Sequence, residues 1–249
     1  MHFLQRFLGF FCISLFLSMT VLADEVTYDP SPQVFADQET AASLRHYGQS
    51  LCHTPGFHCQ VVSKGDTWYS LFPDFQQREM VMRLNRTNVA LEYRNWIVVP
   101  NDFSTMSYMN MSPLPAHRDT HGTPLLVVNL ALFAFGAYDE QGNLLYWGPV
   151  SAGAETCEYV DGNCRTITGK FKVFRAEGGE CTSGKYPLET HGGAPMPYCM
   201  YFHGGFALHG STLSGFINRS SGCVRLFYAD AKWLYERFIK VGTRVTVEN

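Results

Sequence analysis

Cys223 stands in Ser220-Ser221-Gly222-Cys223-Val224-Arg225-Leu226, and His209-Gly210-Ser211 precedes it across a short loop. A cysteine attacks carbonyl carbon as a thiolate, and a neighbouring histidine can take its proton. Gly222 removes a side chain beside the sulfur, and a tight turn there can aim backbone N–H groups at a developing oxyanion. The pattern points to a nucleophilic cysteine with a histidine as its base. A lone cysteine is more often an inert core residue, so the argument rests on Cys223 occurring with His209, Gly222 and Arg225 in this order. His191 and His203 have no such company and are left unassigned.

The other cysteines sharpen the case. The chain holds eight. Cys12 lies in the apolar run Phe7 to Met19, which follows Arg6 and ends near Val21-Leu22-Ala23. That is the pattern of an export signal over residues 1–23, too short for a comfortable membrane span. We therefore expect the periplasm or cell envelope, with no integral membrane anchor. Removing Cys12 leaves an odd number, so at least one thiol is unpaired. Close spacing favours Cys52 with Cys59, Cys157 with Cys164 and Cys181 with Cys199, leaving Cys223 over; the sequence itself leaves the connectivity open. Cys52, His53, His58 and Cys59 could instead form a zinc site, but export favours disulfides. We expect no metal and no organic cofactor, because thiolate, imidazole and backbone dipoles suffice. A net charge of −3 gives no electrostatic argument for nucleic acid.

Several elements must position these groups. Residues 24–59 read as an irregular lead-in in which Gln38 to Leu51 can form one short helix. Gln60 to Ser63 reads as a strand, and Asp66 can cap a helix beginning near Thr67. A second helix fits Glu79 to Asn85, and Asn95 to Val99 returns as a strand. The result is a βααβ unit over residues 60–101. Residues 102–121 lack periodicity and read as a linker, which would make the unit removable without loss of catalysis. From residue 122 the chain is strand-rich. Leu125 to Phe135 and Leu144 to Val150 flank the turn Asp139 to Asn143 as a hairpin. Phe171 to Arg175 and Phe206 to Leu208 are further strands. Ala231, Leu234, Tyr235, Phe238 and Ile239 mark one helical face, and Arg244 to Val247 is a last strand.

The segment around Cys223 resembles the L,D-transpeptidase catalytic signature, a His-Gly followed after a loop by Ser-x-Gly-Cys-Ile/Val-Arg-Leu/Met. Thr168-Gly169 before a strand and Met196-Pro197-Tyr198 upstream of His209 are similar too. The resemblance covers residues 122–249. Two positions depart from it: the loop from His209 to Cys223 is slightly short, and Ser221 stands where histidine is frequent. Residues 60–101 resemble a LysM peptidoglycan-binding module in Val61-Val62-Ser63-Lys64-Gly65-Asp66-Thr67-Trp68, Leu84-Asn85 and Ile97-Val98-Val99-Pro100. Arg94-Asn95-Trp96 stands where that family usually has a glycine.

These resemblances imply a mostly β catalytic domain, sandwich- or barrel-like with one helix, behind a small α+β LysM-like domain. They imply Cys223 as acyl acceptor, His209 as its base and the N–H groups of Ser221, Gly222 and Cys223 as the oxyanion hole. The Gly210 carbonyl would fix the imidazole tautomer, and Arg225 would brace the turn or meet a substrate carboxylate. The partner would be peptidoglycan, its tetrapeptide stems as donor and its glycan strands as anchor. The acceptor would be the amine of another stem or of an envelope protein. Water as acceptor would make the same centre an L,D-carboxypeptidase or hydrolase. A third expectation is a non-catalytic glycan-binding envelope protein involved in host-cell entry.

Overall fold

In a computed structural model of the chain, residues 47–157 and 164–249 are described. The expected signal segment 1–23 and most of the lead-in lie outside them. Residues 47–51 are helical and run into the Cys52–Cys59 disulfide. No helix among the described residues is long and apolar enough to cross a membrane.

The βααβ order appears as β1 (Phe57–Val61), α1 (Trp68–Leu71), α2 (Phe75–Leu84) and β2 (Trp96–Pro100), with β1 and β2 antiparallel. Local chemistry sets the boundaries. Thr67, not Asp66, caps α1: its side chain accepts from Ser70 N–H at 3.0 Å, and Ser70 Oγ accepts from Thr67 N–H in return. Asp66 is occupied within the preceding turn, where it accepts from Ser63 N–H. α2 begins four residues before the expected Glu79 because Asp74 caps it through Gln77 N–H. Trp68, Phe72, Val81, Leu91, Ile97 and Val99 close a small core inside the unit.

The remaining strands form one sheet of nine: β3 (Leu125–Asn129), β4 (Ala134–Tyr138), β5 (Leu144–Ser151), β6 (Gly169–Lys172), β7 (Arg175–Ala176), β8 (Met200–His203), β9 (Phe206–Gly210), β10 (Val224–Leu226) and β11 (Arg244–Glu248). Their order across the sheet is β6-β11-β3-β4-β5-β10-β9-β8-β7. The β11–β3 and β10–β9 pairs are parallel and the others antiparallel.

The run expected as one strand, Leu125 to Phe135, is two strands. Asn129 Oδ1 accepts from Leu132 N–H, and Phe133 takes a positive φ of 49°, so the chain reverses between β3 and β4. The expected turn at Asp139 to Asn143 is present, with Asp139 Oδ1 accepting from Asn143 N–H. The run Phe171 to Arg175 is also divided. β6 lies on β11, but Val173 N–H bonds Thr243 and Phe174 N–H bonds Tyr201, so the chain passes from one sheet edge to the other. Phe171 meets Phe202 with ring centroids 5.4 Å apart, and the sheet curls around a core that includes Leu126, Phe135, Met200, Leu208, Val224 and Val247. Met200, Tyr201 and Phe202 are all buried in these cores. The expected helix is α3 (Tyr228–Trp233), continued by a π-helical turn, Leu234–Phe238, that keeps Ala231, Leu234 and Ile239 in the core.

The segment read as a linker is packed. Met111 and Leu114 are buried with Leu84 and Val98 of the βααβ unit and with Ala134 and Trp147 of the sheet. Trp147 Nε1–H bonds the Tyr108 carbonyl at 2.9 Å, and Tyr138 Oη–H bonds the Pro115 carbonyl at the same distance. Apolar residues of the segment therefore join two bodies that aperiodic spacing made to look separate.

Candidate active site

Parallel pairing of β9 with β10 brings the two halves of the motif together. Arg225 is in register with His209 and Leu226 with Gly210. Residues two apart on a strand share a face. Cys223, Arg225, Ala207 and His209 therefore lie on one face of the sheet, while Val224 and Leu208 point into the main core. Cys223 packs against Ala207, Tyr201, Met196 and the Cys181–Cys199 disulfide. Those two cysteines, with Cys157–Cys164 and Cys52–Cys59, form three disulfides, and among the described residues Cys223 is the free thiol. The sulfurs of the conceivable zinc set are thus bonded to each other.

His209 is buried, and its Nδ1 lies 3.0 Å from the Gly210 carbonyl. A carbonyl only accepts, so Nδ1 carries the hydrogen and Nε2 keeps its lone pair. Burial pushes the imidazole pKa down to about 4, the Gly210 bond opposes this, and nearby Arg225 adds to it. The thiol of Cys223 is pushed above its ordinary value by burial, against the pull of an Ala207 backbone bond and the Arg225 charge. Burial in turn lowers Arg225. Burial thus favours the neutral form of both the thiol and the imidazole.

The turn bearing the thiol is fastened at Ser220, Gly222 and Cys223. Ser220 Oγ–H donates to the Cys223 carbonyl at 2.5 Å and accepts from Gly222 N–H at 3.0 Å. Thr166 Oγ1–H donates to the Gly222 carbonyl at 2.7 Å and accepts from Gly153 N–H. The backbone of Ser220 bonds Ala152 and Ala154 beside the end of β5. Gly222 has a φ of +120°, and a Cβ there would stand 2.8 Å from Phe206 Cε1, so the position admits no other residue without strain. Gly210 N–H bonds the Pro197 carbonyl, which ties the histidine strand to Met196-Pro197-Tyr198.

Gly222 N–H, expected to face an oxyanion, is spent on the Ser220 hydroxyl. The side chain of Ser221 is exposed, beside the thiol in sequence. His203 is exposed on β8 with its ring tilted against Phe171 and Phe206, and His191 lies in a loop. Sequence reasoning missed Thr166, which no motif marked; a threonine preceding Thr168-Gly169 was the nearest signal. A cleft of about 770 Å³ between α2 and residues 103–108 includes none of these groups.

Comparison with known proteins adds to this geometry. Among solved structures, an L,D-transpeptidase from Xylanimonas cellulosilytica is 21% identical, with a TM-score of 0.52 over 84% of this chain and 91% of that one. An L,D-transpeptidase from Stackebrandtia nassauensis is 22% identical, with a TM-score of 0.40 over 59% of this chain and 60% of that one. At such identities the first of these supports the shared fold alone. No curated protein sequence matches. The family model for the L,D-transpeptidase catalytic domain matches residues 123–247, half of the chain and all of the curled sheet, and the chain belongs to that family.

Proposed function

We propose that this protein is an exported cysteine acyltransferase that cross-links peptidoglycan through a thioester on Cys223. The observation that carries the reading is the free thiol on the same sheet face as a buried, neutral His209 whose Nδ1 is held by Gly210. The donor is a tetrapeptide stem. As Cys223 Sγ bonds to the carbonyl carbon of its diaminopimelate residue, the thiol proton passes to His209 Nε2. The oxygen becomes anionic and faces the N–H groups of Ser221 and Cys223. Collapse breaks the amide C–N bond, and His209 returns the proton to the leaving D-alanine. An acceptor amine then attacks the thioester, giving up a proton to His209, and the thiol is released as that proton returns to sulfur. Arg225 favours the thiolate through its charge. Three disulfides support an oxidising compartment.

The βααβ unit is proposed to hold glycan. Tyr69 and Tyr93 are 72% and 75% exposed on it, and flat rings of this kind stack on sugar faces. Sedimentation with purified peptidoglycan tests this: Tyr69→Ala with Tyr93→Ala should leave more protein in the supernatant, and unchanged sedimentation would contradict it.

A carbapenem tests the catalytic assignment, because its strained ring presents a carbonyl to the same thiolate. The wild type should gain the mass of one carbapenem, and Cys223→Ala should not. An adduct on Cys223→Ala would assign the nucleophile elsewhere.

A further inference from the structure

The loop between His209 and Cys223 is held from outside the catalytic domain. Residues 211–219 connect the strand carrying the base to the turn carrying the nucleophile. Their first half lies against the end of the βααβ unit. Thr87 Oγ1–H donates to the Leu213 carbonyl at 3.0 Å, and Asn88 N–H donates to the same oxygen at 3.2 Å. Asn88 Oδ1 accepts from Leu213 N–H at 2.8 Å. Arg94 Nη2–H donates to the Ser214 carbonyl at 2.6 Å, and Gly215 N–H donates to the Arg86 carbonyl at 2.9 Å. Thr87 and Ser214 form an antiparallel bridge. Every backbone polar group named here finds its partner in residues 86–94, and Leu213 is fully buried beneath them.

The second half is held by β5. Ser151 Oγ–H bonds the Ile217 carbonyl, and Asn218 Oδ1 accepts from Ala152 N–H, both at 2.8 Å. The loop is thus stretched between two anchors. Arg219 alone separates the second from Ser220. The loop anchored in this way leads into the Ser220–Cys223 turn.

We infer that Thr87, Asn88 and Arg94 are positioning residues for the Cys223 turn, so that the βααβ unit completes the active site as well as any glycan surface it presents. The inference rests on the transpeptidase reading of Cys223. These residues touch no substrate and act through the loop backbone. Misplacing a reacting group by about 1 Å costs on the order of a hundredfold in rate. Loss of one clamp bond should therefore slow acylation without weakening the initial encounter with the acyl donor.

The test is carbapenem acylation of the full mature chain under single-turnover conditions, well below the melting point of every variant. Asn88→Ala removes the acceptor for Leu213 N–H, and Arg94→Met removes the donor to Ser214. Each should lower the limiting acylation rate between about tenfold and a hundredfold, with the half-saturating carbapenem concentration unchanged. Asn88→Asp keeps the Oδ1 acceptor and should restore most of the rate. Hydrogen exchange of the 211–219 amides should accelerate in Asn88→Ala and return towards wild type in Asn88→Asp. Were Asn88→Ala too unstable to assay, Arg94→Met and Asn88→Asp would still decide the matter. Acylation of both Asn88→Ala and Arg94→Met at the wild-type rate overturns the inference and leaves the catalytic reading intact. A wild type that does not acylate overturns the catalytic reading and the inference with it.

Discussion

Arg83 of α2 and Asp230 of α3 form a two-pronged ion pair, Nη1 to Oδ2 at 2.8 Å and Nη2 to Oδ1 at 2.5 Å, with Asp230 completely buried. Tyr146 Oη–H donates to the same carboxylate at 2.7 Å. Burial opposes the Arg83 charge, but Asp230 together with Tyr108 and Tyr146 holds the guanidinium above its usual pKa. The pair joins the βααβ unit to the helix that follows β10.

Removing one partner strands a buried charge. Asp230→Ala should destabilise the protein by about 3–5 kcal/mol, measured by urea unfolding. Replacing both partners with apolar residues, Arg83→Met with Asp230→Leu, should recover much of that loss. A single variant within about 1 kcal/mol of wild type would show that water reaches the site.

Ser220→Ala should act on both stability and rate. It deprives Gly222 N–H of its acceptor and the Cys223 carbonyl of its donor. An orphaned buried N–H costs about 1–3 kcal/mol. The loosened turn should slow acylation by roughly tenfold or more. Thermal melts and carbapenem kinetics check the two effects separately. A normal rate in a destabilised variant would confine Ser220 to folding.

The pH dependence follows from His209. With its pKa at about 4, the imidazole stays neutral through the mildly acidic range. The acylation rate should be level from neutral pH down and fall only as pH approaches 4. A half-maximal rate near 6.5, the ordinary histidine value, would contradict the buried neutral base. Stability has the matching sign. Below pH 6.5 the unfolded chain binds a proton that the folded histidine refuses. Stability therefore falls as pH drops from 6.5 to about 4, then levels off from this group, with a total loss of roughly 3 kcal/mol. His209→Gln should remove that component of acid sensitivity.

The juxtaposition of His209 and Cys223 was legible because its parts are local. Ser220 to Leu226 and His209-Gly210 carry their chemistry in residue type and spacing, and a parallel strand pair needs only the short loop between them. The βααβ order was legible for the same reason, although the caps were not: Thr67 rather than Asp66 caps α1, and Asp74 starts α2 four residues before the expected Glu79. What escaped was long-range. Nothing around Thr87-Asn88 marks it as a partner of Leu213, and nothing in Met106 to Leu114 distinguishes a packed segment from a linker. The Val173–Phe174 crossing was hidden because a strand that changes neighbours keeps its β pattern throughout. The N–H of Gly222 was misassigned because sequence shows a hydroxyl at Ser220 but not where it points.

The central claim is a transferable acyl group on Cys223 with His209 as its base. Purified disaccharide-tetrapeptides incubated with the mature protein, followed by mass analysis, test it most directly. The wild type should release D-alanine and form a dimer joined from diaminopimelate to diaminopimelate. Cys223→Ala should form none, His209→Ala almost none, and the double variant should be scarcely worse than Cys223→Ala, because residues that act as one unit give non-additive losses. Dimer formation by Cys223→Ala, or intact tetrapeptide after prolonged incubation with a wild type that is fully folded, would contradict the account.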